Sequence, residues 1–182
     1  QVGLEHMRRA LKQRFERHQL IEDHLFKMFE DEALELEPSG EAVGSAVGLT
    51  VLDFGDHACG QPCKVSASVS PGDVGVVSIE REVELSGRLH DKGSLTIGAY
   101  LRAHYLPDQI CALNATLCFD QLHDEIEGDS ASLAEMVALL SALSGLPVAQ
   151  NIAMTGALDL RGRVQAIGGV NEKIEGFFRL CK

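Results

Sequence analysis

Nothing in these 182 residues comes near the roughly 18 consecutive apolar residues that a membrane-spanning helix requires, so no membrane partner is expected. Positive charge is also scarce. Lys and Arg number 16 against 27 Asp and Glu, a formal net charge of −11, which argues against a nucleic-acid surface built from clustered cations. The chain opens on Gln1 and its start lacks the apolar core of a signal peptide. We therefore expect a cytoplasmic fragment of a longer protein. The five cysteines form an odd, unpatterned set, which reads as reduced thiols. His57, Cys59 and Cys63 in HACGQPC supply three possible ligands with no second cluster, short of the four of a structural zinc site, so no metal is expected.

Several catalytic signatures are missing as well. GRLHDKGS, from Gly87 to Ser94, superficially resembles a phosphate loop, but Lys92 precedes Gly93 and the order G-x-x-x-x-G-K-[ST] is absent. No cofactor is expected within these residues. The seven histidines are scattered without H-E-x-x-H, and no G-x-S-x-G elbow supports a Ser-His-Asp hydrolase.

What is present suits one compact domain with an appendage: 45% hydrophobic and 24% charged residues. From Leu4 to about Phe29, apolar residues at Leu4, Met7, Leu11, Phe15, Ile21, Leu25 and Met28 predict a long amphipathic helix. It reads either as a solvated helix with its stripe on the domain or as a connector from an upstream domain. Residues 1–36 are assigned to this element and 37–182 to the domain proper. Beyond Pro38 and Gly40, VGLTVLD, CKVSASVS and VGVVSI predict strands, separated by FGDHACGQP and PGD. SGRLHDKGS predicts a glycine-bounded loop, LTIGAYLRAHYL a helix and ICALNATLCF a strand. Residues 130–144 carry helical periodicity ended by Gly145 and Pro147. VAQNIAMTG predicts a short strand, RGRVQAIGG a hairpin-like return and NEKIEGFFRLCK a final helix. This order of elements predicts an α+β fold.

EGDSAS, residues 127–132, admits two readings. Asp129 or Ser132 can cap the following helix, and Ser132 with Glu135 fits a capping box. Alternatively Ser130 is a nucleophile, because backbone N–H groups and the helix dipole would stabilise an oxyanion forming there. A nucleophile needs a base, and a lysine serves if burial lowers its pKa. Lys173 suits this role, at the start of a helix whose Ile174, Phe177 and Phe178 could dry its surroundings.

EGDSASLAEMVALLSALSGLPV followed by AMTGALDLRGRVQAIGGVNEKIEGFF resembles the proteolytic domain of the Lon proteases, in particular their LonB-like branch. VGLTVLDFGD and VSIEREVELSGRLHDKGSL resemble the upstream strands and the SG-x-x-H-x-KG segment of that family more loosely. The resemblance implies a Ser-Lys dyad of Ser130 and Lys173, which stand 43 residues apart. It also implies a supporting threonine at Thr155, with acidic neighbours at Glu127 and Asp129. Asp129 is open to a second role, a salt bridge that holds Lys173 inactive. The implied fold is that of ribosomal protein S5 domain 2. The implied activity is ATP-dependent cleavage of unfolded or damaged proteins, with ATP and magnesium bound by an upstream ATPase domain and a hexameric ring as the assembly. Two alternatives remain at this level: a non-catalytic Lon-like oligomerisation module, as in the RadA family, and a Ser-Lys peptidase that works without ATP.

Overall fold

A computed structural model describes residues 2–31, 35–55, 57–105, 113–122 and 124–182, with the side chains of Phe15, His18, Ile21 and Glu30 outside that description. Two residues of the expected stripe, Phe15 and Ile21, therefore lie outside the described side chains. Ile110, Cys111 and Ala112, at the head of the expected ICALNATLCF strand, lie outside the described residues.

The chain begins with α1 (Leu4–Glu30), β1 (Glu41–Ala42), β2 (Ser45–Asp53), β3 (Ala58–Pro71) and β4 (Gly75–Ser78). Next come α2 (Ile79–Glu82), α3 (Arg88–Tyr105), β5 (Leu113–Asp120) and α4 (Ser132–Ser144). Four two-residue strands follow, β6 (Val148–Ala149), β7 (Ala153–Met154), β8 (Ala157–Leu158) and β9 (Val164–Gln165), before α5 (Val170–Leu180). The main sheet has the order β4-β5-β3-β2-β7. Its two central pairs are antiparallel and its two outer pairs parallel. The architecture is thus mixed α/β around a mixed sheet, not a doubly wound parallel one.

The long strand β3 organises the rest. Its side chains alternate by the pleat. Cys63 and Val65 meet Gly48 and Ala134 of α4, whereas Gly60 meets the backbone of α5. A Cβ on Gly60 would lie 2.0 Å from the Glu172 carbonyl oxygen, and one on Gly176 2.2 Å from the Gly60 carbonyl oxygen. This pair of glycines lets helix and strand backbones touch. Phe119, Ile126, Ala131 and Ala134 fill the core beside Cys63 and Val65. Ile97, Leu101, Leu117, Met136 and Leu139 close the space between α3, β5 and α4.

Several sequence expectations shift. The expected separator FGDHACGQP is a strand from Ala58 onward. Pro62 is tolerated because β5 pairs only with residues 64–71 of β3, leaving Pro62 one strand neighbour, β2. VGVVSI ends its strand at Ser78, and Ile79 begins the short α2. The expected loop SGRLHDKGS is helical from Arg88. Asp91 in the first turn favours the positive end of the helix, and Ser86 Oγ donates to its carboxylate at 2.6 Å. Gly93 is no breaker. A Cβ there would sit 2.5 Å from Ser132 Oγ, so the glycine serves the close approach of α3 to the start of α4.

The stripe of α1 is only partly used. Its last turns dock on α5, where the Arg179 guanidinium lies 4.5 Å from the centre of the buried Phe26 ring and pairs with Glu22 and Asp23. Leu4, Met7, Leu11 and Leu20 are exposed. At 1.5 Å per residue this helix is about 40 Å long, more than the domain can cover. No helix among the described residues is long and apolar enough to cross a membrane.

Candidate active site

Three segments that are distant in sequence converge at residues 128–131. Gly128 takes the left-handed conformation, φ +85°, and turns the chain into the start of α4. Gly156 clamps that start in both directions. Its N–H donates to the Ser130 carbonyl at 2.7 Å, and its carbonyl accepts from the Leu133 N–H at 3.0 Å. On the other side, Gly169 at φ +67° caps α5, and the Gly60–Gly176 contact fixes how deep that helix lies. Lys173, on the first turn of α5, thereby extends into the core.

The structure brings Ser130, Lys173 and Thr155 together. Lys173 Nζ donates to Ser130 Oγ at 2.8 Å and to Thr155 Oγ1 at 3.0 Å. Thr155 Oγ1 in turn donates to the Ser130 carbonyl at 3.0 Å. Because the threonine proton is committed to that carbonyl, its lone pairs face the amine and orient it. Lys173 is buried at 3% exposure, and this burial holds its amine below the ordinary 10.5. Cys63 lies close by, but burial pushes its thiol up to about 12, so it stays neutral and supplies no counter-charge. Asp129 forms no ion pair with Lys173, which removes the inactive salt bridge as a feature of this conformation.

The dryness has another source than expected. Ile174 and Phe178 are exposed and Phe177 is half-buried; the Lys173 backbone lies against Gly60 of β3, and its amine meets Ser130 at the α4 start, with Cys63 nearby. The capping reading of EGDSAS also needs correction. The N-cap position is Ala131, and no side chain caps α4. Ser132 Oγ faces inward against Gly93, and Glu135, expected to reach back as a capping-box partner, is wholly buried.

Glu135 belongs to a polar cluster behind the serine segment that the sequence reading missed. Its carboxylate lies 3.8 Å from Nε2 of buried His90. Burial, reinforced by the charge of nearby Glu80, pushes Glu135 up to about 8. Burial lowers His90 below 6.5. Glu80 is itself satisfied, accepting from the Phe119 N–H at 2.7 Å and the Ser78 hydroxyl at 3.0 Å. The signal available in sequence was a carboxylate and a histidine inside apolar, small-residue helices. Among the described residues, no group of three His, Cys, Asp or Glu is placed to hold a metal ion; His57 bonds Glu22 at 2.7 Å.

A cleft of about 260 Å³, lined among others by Thr50, Val51, Gln61 and residues 124–128, opens onto Ser130 and Lys173. A hydroxyl and a buried amine facing an open cleft fit nucleophilic chemistry on a bound carbonyl.

Known proteins are similar to this chain in sequence. Residues 124–179 match the Lon protease (S16) C-terminal proteolytic domain. The chain is 42% identical, over 88% of its length, to a putative Lon protease homolog of Escherichia coli strain K12, and 40% identical, over 94%, to one of Haemophilus influenzae. An archaeal Lon protease of Archaeoglobus fulgidus is 32% identical over 96% of the chain. The chain spans 28%, 29% and 27% of the lengths of these three relatives, so it corresponds to less than a third of each. Over residues 124–179, this chain carries a proteolytic domain of the Lon protease type.

Proposed function

We propose that the chain is the serine endopeptidase module of an ATP-dependent Lon-like protease, with Ser130 as nucleophile and Lys173 as general base. The observation that carries this reading is the 2.8 Å contact between Lys173 Nζ and Ser130 Oγ, made by an amine held out of water at the mouth of a cleft. A neutral amine accepts the Ser130 proton as Oγ attacks the scissile carbonyl carbon. The resulting ammonium returns that proton to the departing amine, leaving an acyl-serine and a neutral lysine. Water then attacks the acyl carbon, Lys173 again takes its proton, and Ser130 is regenerated with release of the acid. Backbone N–H groups of the turn at Gly128–Ala131 are the candidates for the oxyanion hole, aided by the α4 dipole. Thr155 keeps the amine lone pair directed at Ser130.

The remainder rests on family resemblance. The α1 segment, residues 1–36, is read as the connector from an upstream ATPase domain that binds ATP and magnesium, and residues 37–182 as the proteolytic domain with the S5-like fold. A hexameric cytoplasmic ring would enclose the sites and admit unfolded chains. These assignments are tested together by degradation of casein by the full-length protein, with and without ATP, beside Ser130→Ala and Lys173→Ala. Cleavage that requires both residues and ATP is expected. Cleavage unaffected by either substitution would remove the dyad, and cleavage indifferent to ATP would favour a peptidase acting alone.

A further inference from the structure

The face that α3 presents to α4 changes character along its length. Ile97 and Leu101 meet Met136 and Leu139 in an apolar cluster. Nearer the nucleophile, the same two helices bring together His90 and Ser94 of α3 with Ser132 and Glu135 of α4, none more than 5% exposed. His90 Nε2, both Glu135 carboxyl oxygens and the two serine hydroxyls have no hydrogen-bond partner. The His90 imidazole stands edge-on to the Phe119 ring, 5.5 Å between centres, and its Nε2 faces Glu135 Oε1 at 3.8 Å.

Stability alone does not account for this polar patch. Replacing both members of a buried polar pair by apolar groups of the same shape is commonly neutral or stabilising, and the adjoining turns of this interface are already apolar. What an apolar contact lacks is direction, whereas a hydrogen bond fixes both a distance and an angle between two helices. Glu135 sits in the first turn of α4, where its N–H donates to the Ala131 carbonyl at 3.1 Å, and Ala131 directly follows Ser130. Gly156 clamps the Ser130 turn from the side of β7 and β8; Glu135 is placed to hold it from the side of α3.

Resting on the peptidase reading above, we infer that His90 and Glu135 are positioning residues: one proton shared between His90 Nε2 and the Glu135 carboxyl ties α3 to the first turn of α4 and sets where Ser130 Oγ points. Closing the 3.8 Å separation by about 0.8 Å completes that bond. The tie works in either protonation state, with a carboxylic acid donating to neutral imidazole or an imidazole N–H donating to a carboxylate. Glu80 already accepts from the Phe119 N–H and the Ser78 hydroxyl, so Glu135 is the carboxyl left for His90.

The test measures peptide cleavage and denaturant unfolding of the full-length protein. Glu135→Gln keeps a donor for His90 and should retain kcat within about twofold. Glu135→Met keeps the length but not the donor. It should lower kcat about tenfold, the scale of one hydrogen bond, with KM nearly unchanged because neither residue touches substrate. Glu135→Met combined with His90→Phe leaves no unpaired partner, so its denaturation midpoint should equal or exceed that of the wild type while kcat stays about tenfold low. Labelling of Ser130 by a serine-directed fluorophosphonate should slow in step with kcat. Wild-type kcat in the double variant would make the pair dispensable and overturn the inference. A midpoint that falls along with kcat in that variant, or failure to fold, would make the pair purely structural and overturn it equally. Wild-type protein that cleaves no peptide and leaves Ser130 unlabelled would overturn the peptidase reading and the inference with it.

Discussion

Lys173 and Glu135 are both withdrawn from water beside the start of α4, at 3% and 0% exposure, yet their surroundings treat them in opposite ways. Lys173 has two hydroxyl partners and opens onto a cleft. Glu135 is wholly buried and faces His90 across 3.8 Å, with the Ser94 side chain nearby but no hydrogen bond of normal geometry to its carboxylate. Burial disfavours the charged form of each, so it favours the neutral lysine amine that can accept a proton and makes the glutamate a weaker acid. The same physical effect is placed where a reaction can use it in one case, and where only stability and positioning respond in the other.

The largest effect expected is on chemistry. Ser130→Ala and Lys173→Ala should each lower peptide cleavage by on the order of 10⁴-fold, and the double variant should lose little more, because the pair acts as one unit. Losses that multiplied in the double variant would separate the two groups. Next comes the support of the lysine. Gly176→Ala forces a Cβ to within 2.2 Å of the Gly60 carbonyl, and overpacking against backbone costs about 1–3 kcal/mol. Both the denaturation midpoint and activity should fall; an unchanged midpoint would mean that α5 is free to shift.

The glutamate carries the opposite pH signature. Its pKa is raised from the ordinary 4.5 to about 8 in the folded state, so the native chain keeps a proton that the unfolded chain releases. Its contribution to stability is complete below about 4.5 and is lost as pH rises through about 8, an effect on the order of a few kcal/mol. Denaturant unfolding at a series of pH values should show this decline, and Glu135→Gln should flatten it. Lys173, lowered from 10.5, acts in the other direction: its contribution is present above 10.5 and lost as pH falls through its native value. A smaller effect is expected at Thr155, where Val should reduce kcat about tenfold while Ser restores it, in keeping with one lost hydrogen bond to a charged group. Ser132→Ala should be smallest. It deletes an inward hydroxyl that lacks a partner, so activity and midpoint should stay close to the parent.

The site was more legible in the sequence than its surroundings. EGDSAS, MTG and GGVNEK are local backbone instructions: Gly128, Gly156 and Gly169 each do their work within a few residues of a functional side chain. The resemblance of these segments to Lon domains then set which serine and which lysine to join. What stayed hidden depended on distant partners. Gly93 looked like a break in the chain because its reason, Ser132 on another helix, lies 39 positions away, and so α3 was shortened by two turns. Glu135 fitted a local capping box, but tertiary burial overrode that local preference. The dryness of Lys173 was assigned to its own helix, whereas the Gly60–Gly176 contact supplies it from β3. Among the described side chains of the α1 stripe, Leu4, Met7 and Leu11 are exposed, and periodicity alone could not distinguish them from Leu25 and Met28 in the turns that dock.

The most direct test is the pH dependence of kcat/KM for a short peptide cleaved by the wild-type full-length protein. If Lys173 serves as a neutral base, the profile should rise through a pKa clearly below the ordinary lysine value of 10.5 and then level off, and Thr155→Val should displace that pKa. A rate that climbs only as pH nears 10.5, unmoved by Thr155→Val, would mean that the Lys173 amine titrates as a solvated one and that the geometry at Ser130 is not catalytic.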